Sequence, residues 1–287
     1  MDATNLIASA IRGRWAVAAV FFANGFLTGS WAPQIPVFLT RLGISEFTLG
    51  LLILVFGLGA IAAMSWCGYL ISRHGSRSVV RWFGAVGTLG LLLVAIAPNV
   101  PLAAVAMFLF GGLIGGMDVA MNANAVEVEK RLSRAIMSSS HGFWSLGGFA
   151  GGALGGLAIQ SWGPVAHAGA VTVLVVAVMA VALPRLIAEA RPAAHEHQRF
   201  AMPKNPLIYL IGLIALFSMI PEGAVLDWAA LYLRQELGAD IATAGFAFAC
   251  FAGTMAVIRF MGDAVRNRFG AVMTLRVSSL VAAAGML

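Results

Sequence analysis

Nine apolar runs dominate this chain, over about residues 15–37, 48–71, 79–97, 102–124, 140–160, 165–183, 206–232, 242–261 and 272–287. All but the last are long enough for an α-helix to cross the hydrocarbon core of a bilayer, which takes roughly 20 residues. In lipid every backbone N–H and C=O must find its partner within the protein, so only helices and closed barrels span. These runs are much longer than barrel strands and lack their apolar–polar alternation. The fold class expected is therefore an all-α membrane protein. A soluble helical domain is excluded by composition, because 10% of the residues are charged where about 25% is usual.

Part of the chain repeats. Trp31, Leu42-Gly43, Gly50 and Arg73-His74-Gly75 return as Trp228, Leu237-Gly238, Gly245 and Arg268-Phe269-Gly270. The offset is 195 residues from Leu42 onward (237 − 42, 245 − 50, 270 − 75) and 197 at the tryptophans. A repeat of this length in an apolar chain predicts two helical bundles facing each other. The second copy stops at Leu287, which corresponds to Leu92 of the first (287 − 195). The expected organisation is a six-helix bundle over 1–184, a cytoplasmic linker over 185–205, and an incomplete bundle over 206–287. A cavity built from both halves would then be open on one side, and this chain alone is not expected to transport.

Lysine and arginine set the orientation. With the N-terminus in the cytoplasm, 16 of the 18 fall in inner segments, and only Arg41 and Arg234 in outer ones. That asymmetry supports an N-in topology. It counts Arg259, with Arg266 and Arg268, as an inner charge. It also explains the net charge of +6 without a nucleic-acid partner. The basic inner face suits anionic lipid headgroups. The linker contains His195-Glu196-His197, which lacks the further ligands of a metal site. Cys67 and Cys250 sit inside apolar runs and read as small buried side chains.

The loop after the second run is Gly68-Tyr-Leu-Ile-Ser-Arg-His-Gly-Ser-Arg77. It resembles the signature loop of the major facilitator superfamily, Gly-x-Leu-x-Asp-Arg-x-Gly followed by two basic residues. Gly68, Leu70, Arg73, Gly75 and Arg77 match; Ser76 replaces the first closing basic residue and Ser72 replaces the aspartate. Ser72 cannot make the charge interaction by which that family holds one conformation. The second copy, Gly262 to Gly270, is one residue longer and carries its acid at Asp263. The glycines permit a tight turn and close helix approach. The arginines set topology or latch the inner gate. The resemblance thus marks Gly68, Arg73, Gly75, Arg77, Asp263, Arg268 and Gly270 as gating positions.

Met121 to Glu127, Ser140 to Gly148 and Glu222 to Trp228 are similar to segments of the bacterial inner-membrane branch called YbjJ-like, itself similar to fucose-permease and MosC-type proteins. The resemblance covers the whole chain. It implies the major facilitator fold, with a complete N-terminal six-helix bundle and about three of the six helices of the second. It also implies that spans one, four and seven line a central cavity.

Ionisable groups fall where that cavity would be. Asp118 lies about six residues from the inner end of its run, or about 9 Å deep. Glu222 lies 16 residues past Pro206, about 24 Å along the helix. A charge at a helix centre in lipid costs at least about 2.5–3.5 kcal/mol. Asp118, Glu222 and Asp227 are therefore expected to face a cavity or a partner, or to hold a proton. Glu222 is the candidate for proton coupling, while Asp227 beside Trp228 also suits an outer-interface anchor. Pro221, just before Glu222, frees a backbone carbonyl and forms either a site edge or a tolerated kink.

Polar side chains add to the set. Asn24 and Thr28 share a face of span one with a turn between them, as Asp118 and Asn122 do on span four; Gln34 lies further along span one. His141, Trp144 and Ser145 open span five. Each alone suits an interhelical hydrogen bond worth about 0.6–2 kcal/mol. Together they offer hydrogen bonds and an aromatic platform for a small hydroxylated solute. Gly147, Gly151, Gly155 and Gly148, Gly152, Gly156 form two ladders of small residues for close helix packing, with a sliding surface between bundles as a second role.

The function expected is secondary active transport of a sugar, polyol or similar solute across the inner membrane by alternating access, with protons as coupling partner. The alternative is a truncated, non-transporting membrane protein, either an inactive fragment or a sensor or scaffold. No catalytic triad, zinc motif or nucleotide loop occurs, so neither enzyme activity nor a cofactor is expected. The partners are the solute, protons, the bilayer and a C-terminal segment absent from this chain.

Overall fold

Residues 3–189 and 205–285 are described by the computed structural model, and among them the regular elements are all helical. The order is α1 (Ala3–Trp31), α2 (Gln34–Leu42), α3 (Glu46–His74), α4 (Ser76–Gly87), α5 (Gly90–Ile96), α6 (Val100–Leu132), α7 (Met137–Trp162), α8 (Pro164–Ala182), α9 (Pro206–Gln235), α10 (Ile241–Phe269) and α11 (Ala271–Gly285). Seven spans are long and apolar enough to cross a membrane, and α1 with α2 forms an eighth, bent by 45°. The ninth run is α11, whose 15 residues are shorter than a full span. Most of the expected linker, and with it the His195-Glu196-His197 cluster, lies outside the described residues.

The two interrupted spans have local causes. Pro33, which has no N–H to donate, separates α1 from α2. Between α4 and α5 the ladder breaks at Thr88, and the Thr172 hydroxyl donates to the Thr88 carbonyl at 3.1 Å. Pro221, in contrast, sits inside one continuous helix, α9.

The repeat is visible in the backbone. Helices α3 and α10 are each 29 residues long, with both ends offset by 195 (241 − 46, 269 − 74). Ser45 caps α3 by accepting from the Thr48 N–H at 3.3 Å; Asp240 caps α10 by accepting from the Thr243 N–H at 2.7 Å. Hydrogen bonds from the Thr243 side chain and then its backbone hold the Asp240 carboxyl below its ordinary pKa. At the far ends, Gly75 and Gly270 have φ of +78° and +79°. Their N–H groups return to Ile71 and Arg266, again 195 apart (266 − 71).

The largest core lies among α1 and α3–α8, where Val17, Phe21, Leu27, Met107, Phe110, Met117 and Met121 are buried. A smaller cluster of Ala32, Phe248 and Ala252, with Val225 and Leu226 against it, joins the end of α1 to α9 and α10. The two glycine ladders of α7 serve opposite faces. Gly147 and Gly151 press on the α1 backbone, and Gly155 meets Pro33 and His167; Gly152 and Gly156 press on α10 at Gly245, Ile241 and Ala242. Small residues let backbones approach this closely. Helix α7 is thus the shared wall between the first six spans and α10. Residues 206–220 of α9 are exposed, presenting an apolar surface suited to lipid.

Candidate functional site

The densest polar cluster inside the helices sits where α1, α6, α7, α9 and α10 converge. Its centre is Arg259 on α10. The guanidinium donates to Ser145 Oγ at 2.6 Å, pairs with Glu222 on α9 at 3.6 Å and lies over the Trp144 ring at 5.7 Å. Ser138 in turn donates to the Arg259 backbone carbonyl at 2.6 Å. Asp118 on α6 stands within Coulombic reach of the same guanidinium.

Topology alone accounts for Arg259, near the end of an apolar run, as an inner-face charge. The structure adds its partners: within the candidate span Ile241–Gly262 it meets Glu222, Ser145 and Trp144. The repeat holds the signal that identifies it. Subtracting the 195-residue offset puts Arg259 opposite Met64 (259 − 195). Where the first copy has an apolar residue the second has a cation, and topology does not require that difference.

Helix α6 continues 14 residues beyond Asp118 to Leu132 (132 − 118), past the end of the apolar run. The helix outlasts its apolar run because Asn124 and Glu129 find partners within the protein. Asn124 donates to Ser76 Oγ and to the Ile187 carbonyl, each at 2.9 Å, and Glu129 accepts from the Ile136 N–H at 2.8 Å. Asp118 accepts from Asn122 Nδ2, and Asn122 Oδ1 accepts from His141 Nε2 at 3.1 Å. A directed chain therefore runs from His141 through Asn122 to Asp118.

Span one contributes differently. Asn24 is buried, accepts from the Trp144 indole at 2.9 Å and donates to the Ile114 carbonyl at 3.3 Å. It ties α1, α6 and α7 together and fixes the Trp144 ring under Arg259. Thr28 donates to the Asn24 carbonyl one turn back. Gln34, expected in the cavity, is elsewhere: it donates to the Pro164 carbonyl at 2.8 Å and pairs with His167 Nδ1 at 2.9 Å. The bend at Pro33 turns it toward α8. Asp227 lies close to the Trp31 side chain, one turn and a half along α9 from Glu222. Asp118 and Glu222 are thus held by protein partners, as a charge inside a membrane requires.

The basic loop residues make contacts within their own halves. Arg77 donates to the Pro184 carbonyl and Arg81 to that of Leu183, both at 3.1 Å, while Glu189 accepts from the Ser76 N–H at 3.1 Å. They secure the chain as it leaves α8. Arg73 stacks over Tyr69 at 5.3 Å and Arg268 over Phe269 at 5.5 Å. Gly68 lies in α3, and Gly75 and Gly270 make the turns after α3 and α10. Asp263 falls on α10; its side chain is outside the described residues.

Residues 17–287 match the family profile described as Major Facilitator Superfamily. The uncharacterized transporter y4wD of Sinorhizobium fredii is 35% identical over 276 residues, covering 94% of this chain and 72% of that protein. An MFS-type transporter of Yersinia pestis is 34% identical over 270 residues, covering 93% of this chain and 69% of its own length. The membrane protein MosC of Rhizobium meliloti is 29% identical over 279 residues, covering 94% of this chain and 66% of its own. Among solved structures, the nucleoside transporter NupG superposes with a TM-score of 0.59 at 11% identity, over 90% of this chain and 68% of that one. The POT family transporter PepTSo does so with a TM-score of 0.53 at 15% identity, over 86% and 53%.

Proposed function

This chain belongs to the major facilitator superfamily of membrane transporters, and from that premise we propose that it serves proton-coupled movement of a small polar solute across the bacterial inner membrane. The observation that carries the proposal is the Arg259–Glu222 pair at 3.6 Å, on two helices of the second half, with Arg259 also bonded to Ser145 in the first. A proton on Glu222 cancels its attraction for Arg259. Arg259 then depends more on Ser145 and Trp144. Protonation at one carboxylate thus shifts the balance of contacts between the halves, which is what coupling requires.

The solute would sit beside this cluster, between the 1–184 and 206–287 bundles. Asp118, Asn122 and His141 form its polar wall, with Trp144 as the aromatic platform. A sugar or polyol fits such a wall, since hydroxyls both donate and accept. Alternating access would follow from rocking of the bundles along the α7–α10 seam. The lysine and arginine asymmetry supports a cytoplasmic N-terminus, and it stays at 15 against 2 even with Arg259 left out (16 − 1).

The test is reconstitution in liposomes with a panel of labelled sugars and polyols. Contrary to the expectation drawn from the shortened repeat, uptake by this chain should occur and accelerate under an imposed proton gradient, and Glu222→Gln should abolish that response while retaining counterflow. Gradient-driven uptake by Glu222→Gln would refute the coupling. Solute binding without counterflow in the unaltered protein would favour a sensor.

A further inference from the structure

A second feature lies away from the polar cluster, on the outside of the first half. Helices α3 and α4 diverge from their shared turn at Gly75 and leave a groove of about 490 Å³ between them. Its walls are Trp66, Leu70, Trp82, Phe83 and Val86, with Leu113 of α6 also lining it. Trp66 and Trp82 are 59% and 74% exposed, so they stand as flanks and are not packed into the core. At the end nearest the turn the lining changes to His74 and Ser78.

The charge around that end is one-sided. From residue 47 to residue 117 the chain has no aspartate or glutamate, while the turn supplies Arg73, His74, Arg77 and Arg81. None of these four takes part in either ion pair found among the described residues. Arg77 and Arg81 bind neutral carbonyls, and Arg73 lies on the Tyr69 ring. The carboxylate brought to this turn, Glu189, is engaged by the Ser76 N–H. His74 Nδ1 donates to the Leu70 carbonyl at 3.2 Å, so Nε2 donates to an outside anion only in the imidazolium form. The aspartate that would have balanced this loop in the related signature is Ser72.

We propose that the α3–α4 groove is a binding site for one anionic phospholipid, with an acyl chain between Trp66 and Trp82 and the phosphate at His74, Ser78 and Arg73. Basic pockets between spanning helices recognise anionic headgroups, and attraction to them fades as salt screens the charges. An apolar groove alone would accept any lipid. The excess of basic side chains over the one carboxylate, Glu189, at its mouth selects the anionic ones.

The protein contains its own control. A second groove of about 320 Å³ lies between α7 and α8, lined by Leu154, Ala158, Trp162, Val171 and Leu174. Like the first it has one histidine and one serine in its lining, but no lysine or arginine occurs between residues 135 and 184, so no basic turn adjoins it. The experiment uses nanodiscs of phosphatidylcholine doped with a lipid carrying a diazirine in its acyl chain. The probe is either phosphatidylglycerol or phosphatidylcholine with the same chains, and cross-links are mapped by peptide mass spectrometry. Phosphatidylglycerol should label the Trp66–Val86 peptides severalfold more than phosphatidylcholine does, with no such excess over Leu154–Leu174. The excess should fall to the phosphatidylcholine level in Arg73→Gln/His74→Gln. Equal labelling by the two probes, an equal excess at both grooves, or an excess unchanged in the double variant would overturn the proposal. Should the double variant fail to fold, raising the salt on unaltered protein decides the matter: the excess must fall, and an excess indifferent to salt refutes the site.

Discussion

Arg259 donates to Ser145 Oγ at 2.6 Å and thereby joins α10 to α7 across the two halves. The same guanidinium holds Glu222 at 3.6 Å, with side-chain exposures of 27% and 21%. Truncating one partner of a charged hydrogen bond costs about 1.5–3 kcal/mol, and partial exposure places this case near about 1–2 kcal/mol. Arg259→Gln should lose that much stability in thermal unfolding in detergent. Glu222→Gln should lose less, because Arg259 keeps Ser145 and Trp144. The double variant should lose less than the two single losses added together, since neither charge is then left alone. Strict additivity would show that the pair is not coupled.

The close packing of α1 on α7 gives a second expectation. A Cβ on Gly25 would overlap the backbone carbonyl of Trp144, whereas a Cβ on Gly57 would meet nothing within 4 Å. Overpacking against a backbone that cannot move aside costs about 1–3 kcal/mol or more. Gly25→Ala should therefore lower the unfolding temperature and the yield of folded protein, and Gly57→Ala should change neither.

Much of this was legible from the chain. The spans follow from apolar runs, because the bilayer allows one regular solution. The repeat survives to the level of single caps, with Ser45 and Asp240 in the same place. The site was legible only in part. Glu222 and Asp118 stand out because acids in lipid demand a reason, but a cation near the end of a run has a ready topological one. Arg259 was hidden by that reason. Gln34 misled in the opposite way: it is polar and on span one, but the bend at Pro33 aims it at α8, and a two-residue break, Ala32 and Pro33, is not visible in hydropathy.

The Gln34–His167 contact at 2.9 Å predicts a separation of stability from function. Both residues are buried, and Gln34 also satisfies the Pro164 carbonyl. Gln34→Ala should cost about 1–3 kcal/mol from the groups left unsatisfied, read as lower thermal stability. It should leave solute affinity in the surviving folded protein unchanged. In Asn122→Ala the order reverses, with a smaller stability loss and weaker solute binding, because Asn122 joins His141 to Asp118 at the proposed wall.

The paired turns supply the last expectation. Gly43 sits at φ +60° and ψ +36°, the left-handed helical region that asparagine also tolerates. Gly75 has φ +78° with ψ +152°, a combination close to the region reserved for glycine. Gly270 repeats it, at φ +79° and ψ +158°. Gly43→Asn should therefore be nearly neutral, while Gly75→Asn and Gly270→Asn should each cost about 1–3 kcal/mol. Helix α4 packs on α6, and its first residue, Ser76, accepts from Asn124 at 2.9 Å. Helix α11 contacts little beyond α10 and is exposed along its length. Strain at Gly75 must therefore be absorbed by a packed core, whereas strain at Gly270 can be relieved by moving α11. Thermal unfolding should show the full loss for Gly75→Asn and a smaller one for Gly270→Asn. Equal losses would mean that the turn itself, and not what is packed behind it, sets the cost.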